Sequence, residues 1–160
     1  MNSRKYTKTA GALEEIIMRA EFGPGKYYLG DICYVLQDAI YKIIWGKKYN
    51  YEEGQFTLTD DGIGECIESF AVASTAYGDG EYVDLQGRKY PVDAGVIGIV
   101  PALMWKITEE LIKKNALGTV LDIKQHLIFE AEGGIFTITA DDEKIVIDTE
   151  LDEDWEGWER

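Results

Sequence analysis

An α+β domain is the fold class this sequence predicts, with antiparallel β-meanders forming a sheet or sandwich-like core flanked by two or three helices. Three observations predict it. Ser69 to Val100 reads as three strands separated by the turn-forming groups Gly78-Asp79-Gly80 and Gln86-Gly87-Arg88. Thr119 to Thr149 reads as a second meander, turning at Gly133-Gly134 and at Asp141-Asp142-Glu143. Between the two, Leu103, Ile107, Leu111 and Ile112 recur near helical spacing. Strands in runs with isolated helices are the pattern of an α+β layer architecture.

Taken in order, residues 1–9 are a polar arm carrying Arg4, Lys5 and Lys8. Ala12 to Ala20 sets Leu13, Ile16, Ile17 and Ala20 on one helical face, which predicts a short covering helix ended by Gly23-Pro24-Gly25. Lys26 to Leu36 reads as a strand bent at Gly30-Asp31, and Gln37 to Trp45 as a helix stopped by Gly46. Residues 47–54 form a loop, Gln55 to Thr59 a short strand, and Asp60-Asp61-Gly62 a hairpin turn into the central meander. After Pro101, Thr108 is placed to cap a helix with Glu109 and Glu110 in its first turn and Lys113 and Lys114 in its last, charges that complement the helix dipole. Residues 1–150 are thus expected to make one domain, followed by an acidic tail at 151–160.

Composition narrows the partners. With 160 residues, 46% hydrophobic and 12% aromatic, the chain has material for one sizeable core. A formal charge of −14 disfavours direct binding to nucleic acid and to anionic membranes. It reads either as solubility and salt adaptation or as a match to a basic partner. No apolar run approaches the roughly 18 residues of a membrane span, and Glu14 and Glu15 stand where a signal peptide needs an apolar stretch. A cytoplasmic location is expected, the host cytoplasm if the protein is phage-encoded. Cys33 and Cys66, each within an apolar run, read as buried thiols rather than a disulfide framework.

No nucleotide-binding glycine loop, zinc-protease helix motif, serine-nucleophile elbow or paired CxxC is present, and no cofactor motif is evident. His126 is the sole histidine and reads as a strand-face residue, although one histidine would suffice as base to Cys33 or Cys66. The acidic residues offer more. Asp31, Asp79, Asp84 and Asp93 lie beside glycine or at strand bends, where backbone approaches a ligand closely. Converging carboxylates would hold a divalent cation such as Ca²⁺ or Mg²⁺ through oxygen, or supply a general acid and base; Asp beside Gly also simply makes turns. Asp31 and Asp93, set within apolar strands, are the candidate metal ligands. Tyr27, Tyr28, Tyr34, Tyr77, Tyr82 and Tyr90 flank the same glycines, either as sheet packing or as a binding face. The candidate ligand-binding set is Asp31, Tyr34, Tyr77, Asp79, Tyr82 and Asp93. In the tail, Trp155 and Trp158 are candidate partner anchors within an acidic rim.

The blocks GKYYLGDICYVL and TAYGDGEYVDLQGRKYPVDAGVIGIVP resemble a family of small bacterial and bacteriophage proteins that share YYxGDxxYVL and, later, YGDGxYxDxxGxxYxVDxGxIGxVP. The shared positions here are Gly30, Asp31, Tyr34, Gly78, Asp79, Gly80, Tyr82, Asp93, Gly95 and Gly98. The resemblance implies a compact intracellular protein of phage or mobile-element origin and carries no mechanism with it. The function expected is that of a non-enzymatic binding protein acting on a host protein or a small polar molecule. A metal-dependent hydrolase or lyase using the aspartates is the first alternative, and a structural component of a viral or mobile-element particle the second.

Overall fold

Two kinds of apolar pattern sort the strands into two sheets. Where apolar and polar residues alternate strictly, a strand buries one face; where both faces are apolar, it lies in a middle layer. Leu127–Glu132 and Ile135–Ala140 show the first pattern, with every second residue buried. Val96–Pro101 shows the second and is buried along its whole length.

The computed structural model describes residues 6–8, 16–59 and 67–150. One five-stranded antiparallel sheet runs β1 (Tyr6–Lys8), β2 (Ile16–Phe22), β10 (Leu127–Glu132), β11 (Ile135–Ala140) and β12 (Glu143–Asp148) in spatial order. A second runs β4 (Gly54–Thr59), β5 (Ile67–Ser74), β8 (Val96–Pro101), β3 (Gly25–Gly30) and β9 (Thr119–Ile123). A separate hairpin joins β6 (Gly80–Val83) to β7 (Lys89–Val92). The helical elements are a π-helix at Ile40–Lys48, α1 at Glu109–Lys114, and 3₁₀ turns at Ile32–Tyr34 and Ala102–Met104.

The sheets stack face to face. Met18, Ala20, Phe129, Phe136 and Ile138 from the first meet Leu29, Ala71, Ile97, Ile99 and Leu121 from the second, with Tyr82, Tyr90 and Val92 of the hairpin in the same core. The opposite face of the second sheet, with Tyr28, Phe70, Val72 and Val100, is covered by Ile32, Leu36, Trp45, Met104 and Ile112 from the helical elements. The second sheet is therefore the middle layer of three. Burying side chains such as Phe56, Phe70 or Phe129, all fully inaccessible, contributes about 1.5–3 kcal/mol each. Gly98 of β8 makes the stacking of β8 on the Ile32 turn close: a Cβ there would run into the Ala71 carbonyl oxygen and lie 2.9 Å from Ile32 Cγ2.

Both flanks of the sandwich are tied. On one, Gln55 Nε2 of β4 donates to the Glu21 carbonyl of β2 at 3.2 Å. On the other, Leu85 N donates to the Val146 carbonyl at 3.1 Å, and Thr119 Oγ1 donates to Tyr90 Oη at 2.9 Å, so the hairpin bridges the two sheets.

The antiparallel sheets are as the sequence predicts, but the molecule is more β-rich than an α+β domain with two or three flanking helices. The helix expected from Ala12 to Ala20 is instead the strand β2 over its described part, because Met18 and Ala20 point into the core while Ile17 and Arg19 stay partly exposed. Residues 12–15 lie outside the described residues. The central block is also not a consecutive meander: β5 pairs directly with β8, and the β6–β7 hairpin is inserted between them. The stretch from Lys89 to Val100, read as a longer strand broken by Gly95 and Gly98, does break at Gly95, at φ +77°, into β7 and β8, whereas Gly98 sits within β8. The π-helix runs past Gly46 to Lys48, and Gly46 serves close packing rather than as a stop, since the Tyr51 ring takes the space a Cβ there would need. The second meander holds only from Leu127: its expected first strand is split, β9 joining the other sheet and β10 pairing with β11, while the turns to β11 and β12 and the Thr108 cap, whose hydroxyl accepts from Leu111 N at 3.2 Å, match the expectation. No helix among the described residues is long and apolar enough to cross a membrane.

Candidate functional site

Antiparallel register brings the end of β3, the end of β5 and the start of β8 to one end of the middle sheet, with Gly30 opposite Gly98 and Ser74 opposite Val96. Asp31 follows β3 there and is fully buried. Its Oδ1 accepts from Cys33 N at 2.9 Å, opening the 3₁₀ turn, and its Oδ2 accepts from Asp93 N and Ala94 N, each at 2.7 Å. Both carboxylate oxygens are thus engaged by backbone donors, as a buried charge requires. Sequence places Asp31 and Asp93 within apolar strands; both instead stand just past strand ends, Asp31 after β3 and Asp93 after β7, where the chain turns.

The neighbouring acids and phenols take their chemistry from this clasp. Burial, then the charge of Asp31, pushes the half-buried Cys33 thiol up to about 12. Burial and the nearby Asp93 carboxylate raise the Tyr34 phenol in the same direction. At neutral pH the thiol is therefore protonated, which removes it as a nucleophile.

The second half of the site is the loop 75–79, packed against the 93–95 turn. Thr75 N donates to the Gly95 carbonyl at 3.0 Å, and the Thr75 hydroxyl donates to the Gly78 carbonyl and accepts from Gly78 N, both at 2.8 Å. On its far side Ala76 N donates to Thr149 Oγ1 at 2.9 Å. Gly134, at φ +89°, approaches Ala76 so closely that a Cβ would lie 2.7 Å from the alanine methyl. The seam between these elements opens as a groove of about 440 Å³ lined by Ser74, Thr75, Ala76, Tyr77, Gly134, Glu53 and Glu150. Tyr77 stands in it 60% exposed. A second groove of about 400 Å³ shares Ala131, Gly133 and Glu150 and adds Glu130, Glu132 and Thr137. The two form one acidic channel around the β10–β11 turn.

No protein-family model, curated protein or solved structure matches this chain. The reading of the site rests on its own geometry.

Of the residues expected from sequence to bind ligand, Asp31 and Asp93 meet directly and Tyr34 lies beside them, whereas Tyr77 and Asp79 are carried by the loop that packs on the 93–95 turn through Thr75, with Tyr77 lining the groove instead. Tyr82 does not present itself to a ligand: it is buried in the sandwich with its hydroxyl donated to the Gly78 carbonyl at 2.9 Å. Tyr27, Tyr28 and Tyr90 are core residues. Asp84 is a second staple. Its Oδ1 accepts from Gln86 N and Arg88 N, and its Oδ2 from Arg88 Nε at 2.7 Å and Tyr90 Oη at 2.8 Å. His126 lies in the exposed turn between β9 and β10, not on a strand face; Asp141 accepts from the backbone N–H of Lys124, Gln125 and His126 to hold that turn.

As candidate cation ligands, Asp31 and Asp93 present one carboxylate already saturated by backbone donors and one exposed beside Tyr34; among the described residues no group of three or more His, Cys, Asp or Glu converges. Cys66, Trp155 and Trp158 lie outside the described residues. Sequence reading missed Glu53, Glu150 and Thr149, which come from three separate turns or strand ends and carry no shared motif. The one local signal was Thr149 beside acidic residues after an alternating strand, which does not distinguish it from any strand terminus.

Proposed function

We propose that the protein is a non-enzymatic binding protein whose acidic channel receives a cationic segment of a partner, seated against the exposed ring of Tyr77. The observation that carries this reading is a division of labour among the acidic residues. Asp31 and Asp84 are consumed as internal staples and Glu130 is paired with Arg19 at 3.4 Å, while Glu150 and the Tyr77 ring border open grooves. A groove of a few hundred Å³ with an aromatic wall is of ligand-site size, and a tyrosine face beside carboxylates suits a lysine or arginine side chain by cation–π and charge attraction.

Catalysis is less well supported. A hydrolase built on Asp31 would have to release backbone hydrogen bonds that hold the 93–95 turn, and Cys33 is held in its thiol form. The net charge of −14 adds long-range attraction for a basic partner.

The test is calorimetric titration with lysine- and arginine-rich peptides against neutral and acidic peptides of equal length. Basic peptides should bind, more weakly as salt rises, and Tyr77→Ala or Glu150→Gln should weaken the binding several-fold without changing the fold. Equal response to all peptides, or binding indifferent to both substitutions, would discard the reading.

A further inference from the structure

In a strongly acidic chain, the outer face of the π-helix is basic and apolar. Closing hydrogen bonds five residues apart places residue i beside i+4 and i+5, which brings Ile43, Lys47 and Lys48 together with Lys42 alongside. All four are exposed, Ile43 by 55%. Tyr51, also 55% exposed, extends the patch, its ring edge-on against the buried Trp45 at a centroid distance of 5.1 Å. Lys48 Nζ stands 5.4 Å from the centre of the Tyr49 ring. Lys42, Lys47 and Lys48 make no salt bridge among the described residues, whereas Arg19, Lys26, Arg88, Lys106 and Lys113 all do. The patch also abuts the acidic channel. Glu53 follows Tyr51 by two residues, about 7 Å of chain at most, and it lines the channel while accepting from Ser74 N at 2.9 Å.

We infer that this patch docks into the acidic channel of a second copy of the chain, whose own patch enters the first copy's channel in return. The charges match: lysines around Ile43 and Tyr51 on one surface, Glu132, Glu150 and the exposed Tyr77 ring on the other. Two adjoining surfaces of opposite charge are self-complementary across a two-fold axis. Turning one copy over the other sets each patch on the opposite channel, so both contacts form together and the assembly closes at two. The axis then passes near residues 51–53, where patch and channel meet. A net charge of −14 on each copy opposes their approach and also repels a polyanion such as nucleic acid. At about 0.15 M salt the Debye length is about 8 Å, so repulsion between remote charges is screened while ion pairs in contact persist. The inference rests on the channel's reading as a receptor for cationic side chains, and it names the partner.

The experiment is sedimentation velocity of the full chain in about 0.15 M salt, from low micromolar to near-millimolar protein, on the wild type and two charge-reversed variants. Lys42→Glu/Lys47→Glu/Lys48→Glu makes the patch acidic, and Glu132→Lys/Glu150→Lys makes the channel basic. The wild type should dimerise as its concentration rises, and each variant alone should stay monomeric. An equal mixture of the two variants should form a heterodimer, because each patch then faces a channel of opposite charge. A wild type that stays monomeric overturns the proposal, as does a patch variant that dimerises alone, a mixture that does not pair, or species that grow beyond the dimer. The patch variant keeps its channel and is titrated with the basic peptides as well. If it binds them while the wild type stays monomeric, the dimer is refuted and the channel reading stands; if it does not bind and the wild type stays monomeric, both fall.

Discussion

Asp31 and Asp93, 62 positions apart, are joined by a 2.7 Å hydrogen bond from the Asp93 backbone N–H to the Asp31 carboxylate. The acidic pair is a clasp between the end of one strand and the turn before another, and its physical logic is satisfaction of buried donors rather than cation binding. Asp31→Ala leaves three backbone N–H groups without that acceptor, and Asp31→Asn turns an amide donor towards at least one of them. Each should cost about 3 kcal/mol or more in urea-induced unfolding, given about 1–3 kcal/mol for an unsatisfied buried donor. A loss below about 1 kcal/mol in both would refute the clasp.

Asp84 and Asp141 set the acid limit of stability. Burial disfavours the Asp84 carboxylate, but the hydrogen bonds from Tyr90, Arg88 and Gln86 outweigh it and hold its pKa below the usual value. The backbone donors of Lys124, Gln125 and His126 do the same for Asp141. A depressed folded-state pKa gives stability that is fully present above the unfolded value, about 3.9, and lost as pH falls through the lowered one. Tm should therefore hold down to about pH 5 and drop steeply below pH 4, and Asp84→Asn should flatten that drop while lowering Tm at neutral pH.

Cys33 should resist alkylation. With its thiol pushed up to about 12, the reactive thiolate is scarce at neutral pH. Peptide-resolved mass spectrometry of iodoacetamide-treated protein should show Cys33 labelling that rises steadily with pH and does not level off below pH 10. Rapid labelling at pH 7 would contradict the environment described.

Gly98→Ala should be the most damaging single methyl addition in the middle sheet. The new Cβ meets the Ala71 carbonyl, part of the backbone, so no side-chain rotation relieves it. Overpacking of this kind costs about 1–3 kcal/mol or more, measurable as a lowered urea midpoint with an unchanged slope.

Thr108→Ala should remove about 1 kcal/mol, because α1 has only six residues and its Leu111 N–H takes its acceptor from the threonine hydroxyl.

What sequence made legible follows from which interactions are local. The Thr108 cap and the turns at Gly133-Gly134 and Asp141-Asp142-Glu143 are decided within a few residues, and all three appear as read. β2 is not local. Leu13, Ile16, Ile17 and Ala20 fit a helical face, but pairing with β10 selects the alternative in which Met18 and Ala20 share a side. The insertion of a hairpin between β5 and β8 is likewise invisible, because nothing in residues 75–95 states that Ser74 will meet Val96. At the site, the Asp31 and Asp93 neighbourhood was legible as glycine-flanked aspartates, but which of them would be spent on backbone donors depends on the packing of the 93–95 turn. The channel was not legible at all, since Glu53, Glu150 and Tyr77 come from three distant segments.

The pairing of β2 with β10, in which Arg19 and Glu130 lie 111 positions apart, also bears on how the chain is born. During synthesis at roughly 5–20 residues per second, β2 waits about 5–20 s for its neighbour to be made. Its apolar face is without its partner sheet for that interval. The nascent chain should therefore be a client for ribosome-associated chaperones until the β10–β11–β12 meander has emerged, and ribosome profiling of chaperone-bound chains should show release only after that point.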